Sequence, residues 1–237
     1  MNLLAFDTST EWMSMAVQRH GQAQPWQHHA AGGALTSTQL IPQILALMAQ
    51  AALRFEELDA LVFGAGPGSF TGLRSACAVA QGLAFGAGVP VLPVNTLMAV
   101  AEEARFQRQA GEGCRVLAML DARMDEIYAQ KFYFDSGQWL SDKGCRLIKP
   151  EDIDVTEVLD MGMLLAGNVF ETYAARLPQS GRVHALPCAT ALLRLAPALL
   201  AGGGAVAAAQ ALPTYVRDKV AQTTQERAAI KAATASA

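Results

Sequence analysis

The chain has 237 residues, of which 52% are hydrophobic and 16% are charged, and its formal net charge at pH 7 is −3. This length suffices for one large domain or two small ones with a buried core, and the composition excludes a disordered chain. The acidic balance argues against a broad nucleic-acid surface, because binding to phosphates depends mainly on Lys and Arg.

The cysteines and the apolar segments indicate the compartment. The four cysteines form no CxxC pair, which is typical of reduced, mostly buried thiols. The first apolar run ends at Asp7 with no basic residue before it, and the longest apolar stretch, 189–201, contains Arg194 and Pro197. The sequence therefore predicts no signal peptide, no membrane contact and a cytoplasmic location.

The first residues predict a β-meander. Short strands are expected over 2–6, 13–18 and 23–29. Three strands in succession exclude a standard Rossmann start, in which a glycine loop and a helix follow the first strand at once. Further along, the sequence predicts helices over 36–53, 70–85 and 95–108, with strands over 58–63 and 89–93 between them.

Two of these helices carry apolar side chains over more than one face. The first follows the spacing of one helical face with Leu40, Ile41, Ile44, Leu45, Met48 and Ala52. Leu47 lies off that stripe, and in the helix over 70–85 Arg74 and Gln81 are nearly the only long polar side chains. A helix that is apolar nearly all round must be covered on its far side too, either by a second lobe or by a partner.

The second half repeats the order of strands followed by helices. Strands are expected over 115–120, 126–134, 139–147 and 163–166, and helices over 150–159, 169–177 and 189–200. The break between the two halves falls near 109–114. We therefore predict an N-terminal lobe over 1–109, a related but degenerate C-terminal lobe over 110–225, and a flexible tail over 226–237.

A glycine loop, Gly64-Ala65-Gly66-Pro67-Gly68-Ser69-Phe70-Thr71-Gly72, follows a predicted strand and opens a predicted helix. Backbone N–H groups and the helix dipole can hold an anion there, and Ser69 can cap the helix. The loop lacks the lysine of a P-loop and the third glycine of a dinucleotide fingerprint. Two interpretations stay open: a phosphate-binding loop without a lysine, or glycines that let two backbones or two subunits pack closely.

Other polar segments are equally ambiguous. Asp7-Thr8-Ser9-Thr10 ends the first strand and would contact a phosphate or its metal, or bond the N–H groups of its own turn. Asp121-Ala122-Arg123-Met124-Asp125-Glu126 would orient a partner or substrate, or form an ion-paired hairpin turn. The motifs HxxxH, HExxH and GxSxG do not occur, so the sequence predicts no catalytic residue and no metal site.

Four segments together resemble the TsaB family, also called YeaZ, in the same order along the chain. They are 6–10 (FDTST), 64–74 (GAGPGSFTGLR), 121–128 (DARMDEIY) and 213–217 (PTYVR). The resemblance covers most of the chain. It implies the α/β fold of the actin/Hsp70/hexokinase-like (ASKHA) superfamily, with two related lobes that each hold a mixed sheet with helices, the second lobe being degenerate. This agrees with the doubled order of elements.

The resemblance also implies a role. Members of this family are the non-catalytic scaffold and activating subunit of the complex that transfers threonylcarbamoyl from threonylcarbamoyl-AMP to N6 of adenosine 37 in tRNAs reading codons that start with A (t6A formation). They act through TsaD, the metal-bearing transferase, together with the ATPase TsaE, so that tRNA is contacted indirectly. This chain alone would bind no cofactor, and ATP or ADP would belong to the assembled complex.

Site residues follow from the same resemblance. The heterodimer with TsaD, and a homodimer of the isolated chain, are expected to use the first two helices through Leu40, Ile41, Ile44, Leu45, Met48, Leu73 and Cys77. A vestigial phosphate-binding function is expected at Asp7, Thr8, Gly66, Gly68 and Ser69. In the second lobe the corresponding glycine loop is reduced to Gly167-Asn168.

Two rival functions stay open. One is a stand-alone nucleotide-binding enzyme of the same fold, either kinase-like or peptidase-like. A kinase needs a second phosphate loop and metal-binding carboxylates, and a metallopeptidase needs clustered ligands; the sequence supplies neither set convincingly. The other rival is a regulatory homodimer that acts without TsaD.

Overall fold

Two mixed β-sheets built in the same order form the framework of the computed structural model, which describes residues 1–141 and 143–217. The first sheet has the strand order β3-β2-β1-β4-β5. Strands β1 to β3 are antiparallel, and β4 and β5 continue parallel to β1. These strands are β1 (Leu3–Asp7), β2 (Trp12–Gln18), β3 (Trp26–Ala31), β4 (Ala60–Gly66) and β5 (Val91–Asn95).

The second sheet has the order β11-β10-β6-β7-β8, and β9 also pairs with β7. Strands β6 and β7 are antiparallel, and β10 and β11 continue parallel to β6. These strands are β6 (Arg115–Arg123), β7 (Glu126–Asp135), β8 (Gln138–Leu140), β9 (Arg146–Ile148), β10 (Leu164–Gly167) and β11 (Arg182–His184). Each sheet is thus a meander followed by two parallel strands, which confirms the predicted pair of related lobes.

The helices show that the second lobe is degenerate. In the first lobe, long helices follow the meander and link the two parallel strands, whereas the second lobe has the short α4 and, between β10 and β11, one short 3₁₀ turn (Ala174–Arg176). The α-helices are α1 (Thr36–Gln50), α2 (Phe70–Ala87), α3 (Thr96–Gln107), α4 (Val155–Asp160) and α5 (Ala189–Ala201).

Helices α1 and α2 cover one face of the first sheet, and α5 covers the other. Strand β1 is consequently buried along its whole length, which explains its continuous apolar sequence. Helix α3 begins where the side chain of Asn95 accepts hydrogen bonds from the N–H groups of Leu97 and Met98, which makes Asn95 the N-cap.

The two halves of the chain interlock. Helix α5 belongs to the second half of the chain but packs on the first sheet, where Leu192 and Ala196 contact the cluster that contains Leu3. Helix α3 belongs to the first half, but Val100 and its neighbours pack against the second sheet. The division at 109/110 therefore separates the strands of the two sheets but not all of their covering helices. The predicted tail over 226–237 lies outside the described residues.

Two predicted elements are wrong in detail. The strand expected over 139–147 is divided into β8 and β9, because Gln130 of β7 donates hydrogen bonds to Ser141 Oγ and Lys143 O inside the interruption. The helix expected over 169–177 consists of turns, whose carbonyl groups at 174, 177 and 178 accept hydrogen bonds from the Arg182 side chain instead of from helical N–H groups. Strand β11 was not predicted.

Within the described part of the chain, none of the helices combines the length and the hydropathy needed to cross a lipid bilayer.

Candidate functional site

A cleft of about 390 Å³ opens between the two lobes. Its walls are the loops that follow β1 and β4, the end of β6, and Asn168 just after β10. Residues 214–217 run along the cleft and complete the wall. The carboxyl ends of parallel strands are where α/β folds commonly bind ligands, so this cleft is the first place to look for a site.

The glycine loop borders the cleft, but its N–H groups are partly occupied. The N–H of Gly66 donates to Thr96 Oγ1 (2.9 Å), and the N–H of Ser69 donates to the carbonyl oxygen of Ser9 (2.7 Å). A phosphate bound here would have to displace these protein acceptors. Gly68 and Ser69 line the cleft, whereas Gly66 does not.

The glycines of this loop are explained by close packing. A Cβ added at Gly72 would lie 1.8 Å from the carbonyl oxygen of Thr8, and one at Gly68 would lie 2.6 Å from that of Ser9. Gly66 has φ +119°, and an added Cβ there would lie 2.5 Å from the carbonyl oxygen of Thr214. Of the two interpretations that the sequence left open, the geometry favours backbones that pack closely.

Asp7 is buried at the end of β1 and is not among the residues that line the cleft. Its Oδ1 accepts hydrogen bonds from the N–H (2.9 Å) and the hydroxyl (2.7 Å) of Ser9, while its Oδ2 is buried without a hydrogen-bond partner in the described residues. Burial raises the pKa of Asp7 to about 6, although the Ser9 hydrogen bonds act in the opposite direction. Asp7 can therefore gain or lose a proton close to neutral pH.

Thr8 is turned inward as well, because its hydroxyl donates to the carbonyl oxygen of Gly72 (2.7 Å). Of the five residues predicted to form a vestigial phosphate site, only Gly68 and Ser69 line the cleft. The structure therefore does not bring the five together around one open space.

The tip of the β6–β7 hairpin overhangs the cleft. The three residues 123–125 have φ angles between 56° and 62°, in the left-handed region that non-glycine residues rarely adopt. Ion pairs hold the tip, since Arg176 pairs with Asp125 and Arg217 pairs with Glu126. This is the ion-paired hairpin turn that was one of the two interpretations of this segment.

Residues 211–217 lie between this hairpin tip and α2 and contact both, through Arg217 at the tip and Tyr215 at the helix. The N–H of Thr214 donates to the carbonyl oxygen of Ala65 (2.7 Å), and the rings of Tyr215 and Phe70 lie 5.2 Å apart between centroids. In the sequence, part of this segment (213–217) was singled out only because it resembles a family motif. No local pattern indicated its position, because its contacts are with residues far away in the chain.

The outward surface of α1 and α2 is mostly apolar. We call it the α1/α2 face and define it by the exposed residues Ile41, Leu45, Arg74, Ala78 and Phe85. The exposed fraction is 44% at Ile41, 51% at Leu45 and 82% at Phe85. Neither helix contains an acidic residue. An apolar surface of this kind commonly marks a site of protein–protein interaction.

The structure corrects the residues predicted for the partner interface. Five of them are buried against the protein's own core, each at most 5% exposed: Leu40, Ile44, Met48, Leu73 and Cys77. Only Ile41 and Leu45 of the predicted set are exposed, and Phe85, which the prediction did not include, is more exposed than either. The apolar spacing of α1 marks the side that covers the sheet, so it could not identify the outward residues.

No group of three or more His, Cys, Asp or Glu side chains between residues 1 and 217, Asp142 aside, is arranged to hold a metal ion. The cysteines at 77, 114, 145 and 188 are free. Burial raises the pKa of Cys145 to about 12 and that of Cys188 to about 11, which makes these two thiols poor nucleophiles.

Comparisons with known proteins agree with this architecture. The family model described as "TsaD: tRNA N6-adenosine threonylcarbamoyltransferase" matches residues 34–236. The tRNA threonylcarbamoyladenosine biosynthesis protein TsaB of Escherichia coli is 32% identical and aligns over 93% of this chain and 96% of its own length. The TsaB protein of Haemophilus influenzae is 34% identical over 93% of this chain and 95% of its own length. The solved structure of YeaZ from Pseudomonas aeruginosa superposes with a TM-score of 0.81, at 36% identity, over 91% of this chain and 99% of that one.

Proposed function

The chain belongs to the TsaB (YeaZ) family of tRNA threonylcarbamoyladenosine biosynthesis proteins, and on this premise we propose that it is the non-catalytic scaffold and activating subunit of the complex that forms t6A. It binds the transferase TsaD, and TsaE joins the pair. The complex transfers threonylcarbamoyl from threonylcarbamoyl-AMP to N6 of adenosine 37, in the cytoplasm, and this chain contacts tRNA only through the assembly.

The observation that carries this proposal is the α1/α2 face. Phe85 at 82% and Leu45 at 51% exposure are large apolar side chains on two helices whose single charged residue is Arg74. Covering them with a partner removes apolar area from water, which is the main driving force of association. The same face would pair with a second copy of the chain when TsaD is absent.

The non-catalytic role is supported by the chemistry of the cleft. The described residues offer no cluster of metal ligands, and two N–H groups of the glycine loop are bonded to protein oxygens. Asp7 has a raised pKa, but it is buried and does not line the cleft. A catalytic centre needs such groups to converge on a substrate.

The test uses exposed substitutions on and off the face. We expect Leu45→Glu and Phe85→Glu to prevent complex formation with TsaD, measured by light-scattering mass, while leaving the circular dichroism spectrum unchanged. Leu159→Glu is the matched control, because Leu159 is 55% exposed but lies on α4 in the second lobe. If both variants on the face assembled like the wild type, the interface would lie elsewhere.

Activity assays test the second half of the proposal. The isolated chain should transfer no threonylcarbamoyl to tRNA, and it should increase t6A formation when it is added to TsaD and TsaE. Transfer by the isolated chain would contradict the non-catalytic role.

The rival nucleotide-binding enzyme is tested by calorimetry with ATP. We expect weak binding at most, because the loop lacks a lysine and its N–H groups at 66 and 69 already have acceptors. A sub-micromolar affinity, or ATP hydrolysis that Asp7→Ala abolishes, would support the enzyme instead.

A further inference from the structure

Arg74 is the single charged residue of α1 and α2, and two aromatic rings hold it in place. Its guanidinium carbon lies 3.7 Å from the centroid of the Phe70 ring, and its Nε donates a hydrogen bond to the hydroxyl of Tyr215 (3.1 Å). Arg74 is nevertheless exposed, and it forms no ion pair with any carboxylate of the described residues.

Arg74 lies on the same side of α2 as the exposed apolar residues. At 3.6 residues per turn, positions 74, 78 and 85 fall within about 40° of one another around the helix axis. A partner that covers this side of α2 from Phe70 to Phe85 would cover the guanidinium group as well, because that group lies over the Phe70 ring.

The stacking restricts the Arg74 side chain before any partner arrives. With Nε bonded to Tyr215, the two terminal nitrogens have no acceptor among residues 1–141 and 143–217, and they form a planar pair of donors. Such a pair matches the two oxygens of a carboxylate, and a side chain that is already ordered loses little entropy on binding. A charge that is covered by an apolar surface without a partner is strongly unfavourable.

We propose that Arg74 selects the partner of the α1/α2 face. The surface that fits is an apolar helical surface with one Asp or Glu opposite Arg74. A second copy of this chain fits less well, because α1 and α2 contain no acidic residue to pair with the guanidinium. This inference rests on the proposed function and adds the feature by which the heterodimer is preferred over the homodimer.

The experiment compares two equilibria for each variant: binding to purified TsaD by calorimetry, and self-association by sedimentation. We expect Arg74→Gln to weaken binding to TsaD by at least about 10-fold and to reduce its dependence on salt. Self-association should stay the same or become tighter. Arg74→Lys should restore binding only in part, because an ammonium group cannot stack or donate as a planar pair.

Arg146→Gln is the control, since it removes the same charge from an exposed position on β9. It should leave both equilibria unchanged. If wild type binds TsaD and Arg74→Gln binds equally well, this inference is overturned and the proposed function stands. Equal weakening of both assemblies would also overturn it, since that result indicates a general structural role. If wild type does not bind TsaD, both proposals fail.

Discussion

Gly64 leaves the space that the carboxyl group of Asp7 occupies. A Cβ added at Gly64 would lie 1.8 Å from Asp7 Oδ2. The two residues are neighbours because β1 and β4 are parallel, with Phe6 opposite Phe63 in the strand before them. The turn after the first strand and the start of the glycine loop therefore form one packed unit, although they are far apart in the sequence.

We expect Gly64→Ala to lower the free energy of unfolding by about 3 kcal/mol, because the added methyl group collides with the buried carboxyl group of Asp7. Urea unfolding measures this change. Gly111→Ala is the matched control, since an added Cβ there meets no atom within 4 Å. When Gly64→Ala is combined with Asp7→Ala, much of its cost should disappear, because the carboxyl group is gone. If the costs of the two substitutions simply added, the methyl group at position 64 would not collide with Asp7.

Asp7 should also make stability depend on pH. Its folded-state pKa of about 6 lies above the ordinary value of 3.8, so protonation favours the folded state. That stability is fully present below about pH 4 and is lost as the pH rises through about 6. The total loss is roughly 3 kcal/mol, from about two pKa units.

Asp7→Asn removes this titration while keeping an oxygen that accepts the hydrogen bonds of Ser9. The variant should therefore gain stability relative to the wild type as the pH rises from about 4 to 7, with little further gain above. Thermal unfolding at a series of pH values measures the difference. Parallel curves for the two proteins would show that Asp7 does not titrate in this range.

Ile44 and Leu45 are consecutive residues of α1 with opposite roles. Ile44 is fully buried in the core, whereas Leu45 is 51% exposed. We expect Ile44→Glu to abolish folding, because the cost of burying a carboxylate exceeds the marginal stability of a domain. Leu45→Glu should stay folded and lose only its assemblies. Circular dichroism distinguishes the two, and a folded Ile44→Glu would contradict the packing of α1.

Glu102 joins three elements of the structure and should be essential for stability. Its carboxylate is buried and accepts hydrogen bonds from Arg105 (2.9 Å) on α3, Arg194 (2.8 Å) on α5 and Trp139 (3.1 Å) on β8. We expect Glu102→Gln to cost about 3 kcal/mol in urea unfolding, because it leaves Arg105 without a carboxylate and Arg194 with Glu103 alone. Glu57→Gln, which alters an exposed pair with Arg54, should change little.

Much of the fold follows from local patterns in the sequence. The predicted helix over 70–85 corresponds to α2 (Phe70–Ala87), which ends before Gly88 at φ +69°. The repeated order of strands and helices predicted two related lobes, and both sheets have the same topology. Hydrophobic periodicity and end signals act over a few residues, so one sequence is enough to detect them.

The candidate site could not be predicted from local sequence patterns, because it depends on contacts between residues that are distant in the sequence. The spacing of apolar residues in α1 could not tell Ile44 from Leu45, because this helix carries apolar residues both on the side that covers the sheet and on the outward side. The glycine loop could not be interpreted until Thr8, Ser9 and Thr214 were seen to occupy the space beside it.

Most of the elements, their order and the presence of two related lobes follow from the sequence, because each of these depends on neighbours along the chain. Three features come from the packing of the folded chain: which helix faces are exposed, the hydrogen bond from Arg74 to the hydroxyl of Tyr215, and the burial of Asp7 against Gly64. These relationships join residues that are distant in the sequence. They arise only when strands and helices are packed together, since packing alone brings such side chains within contact distance.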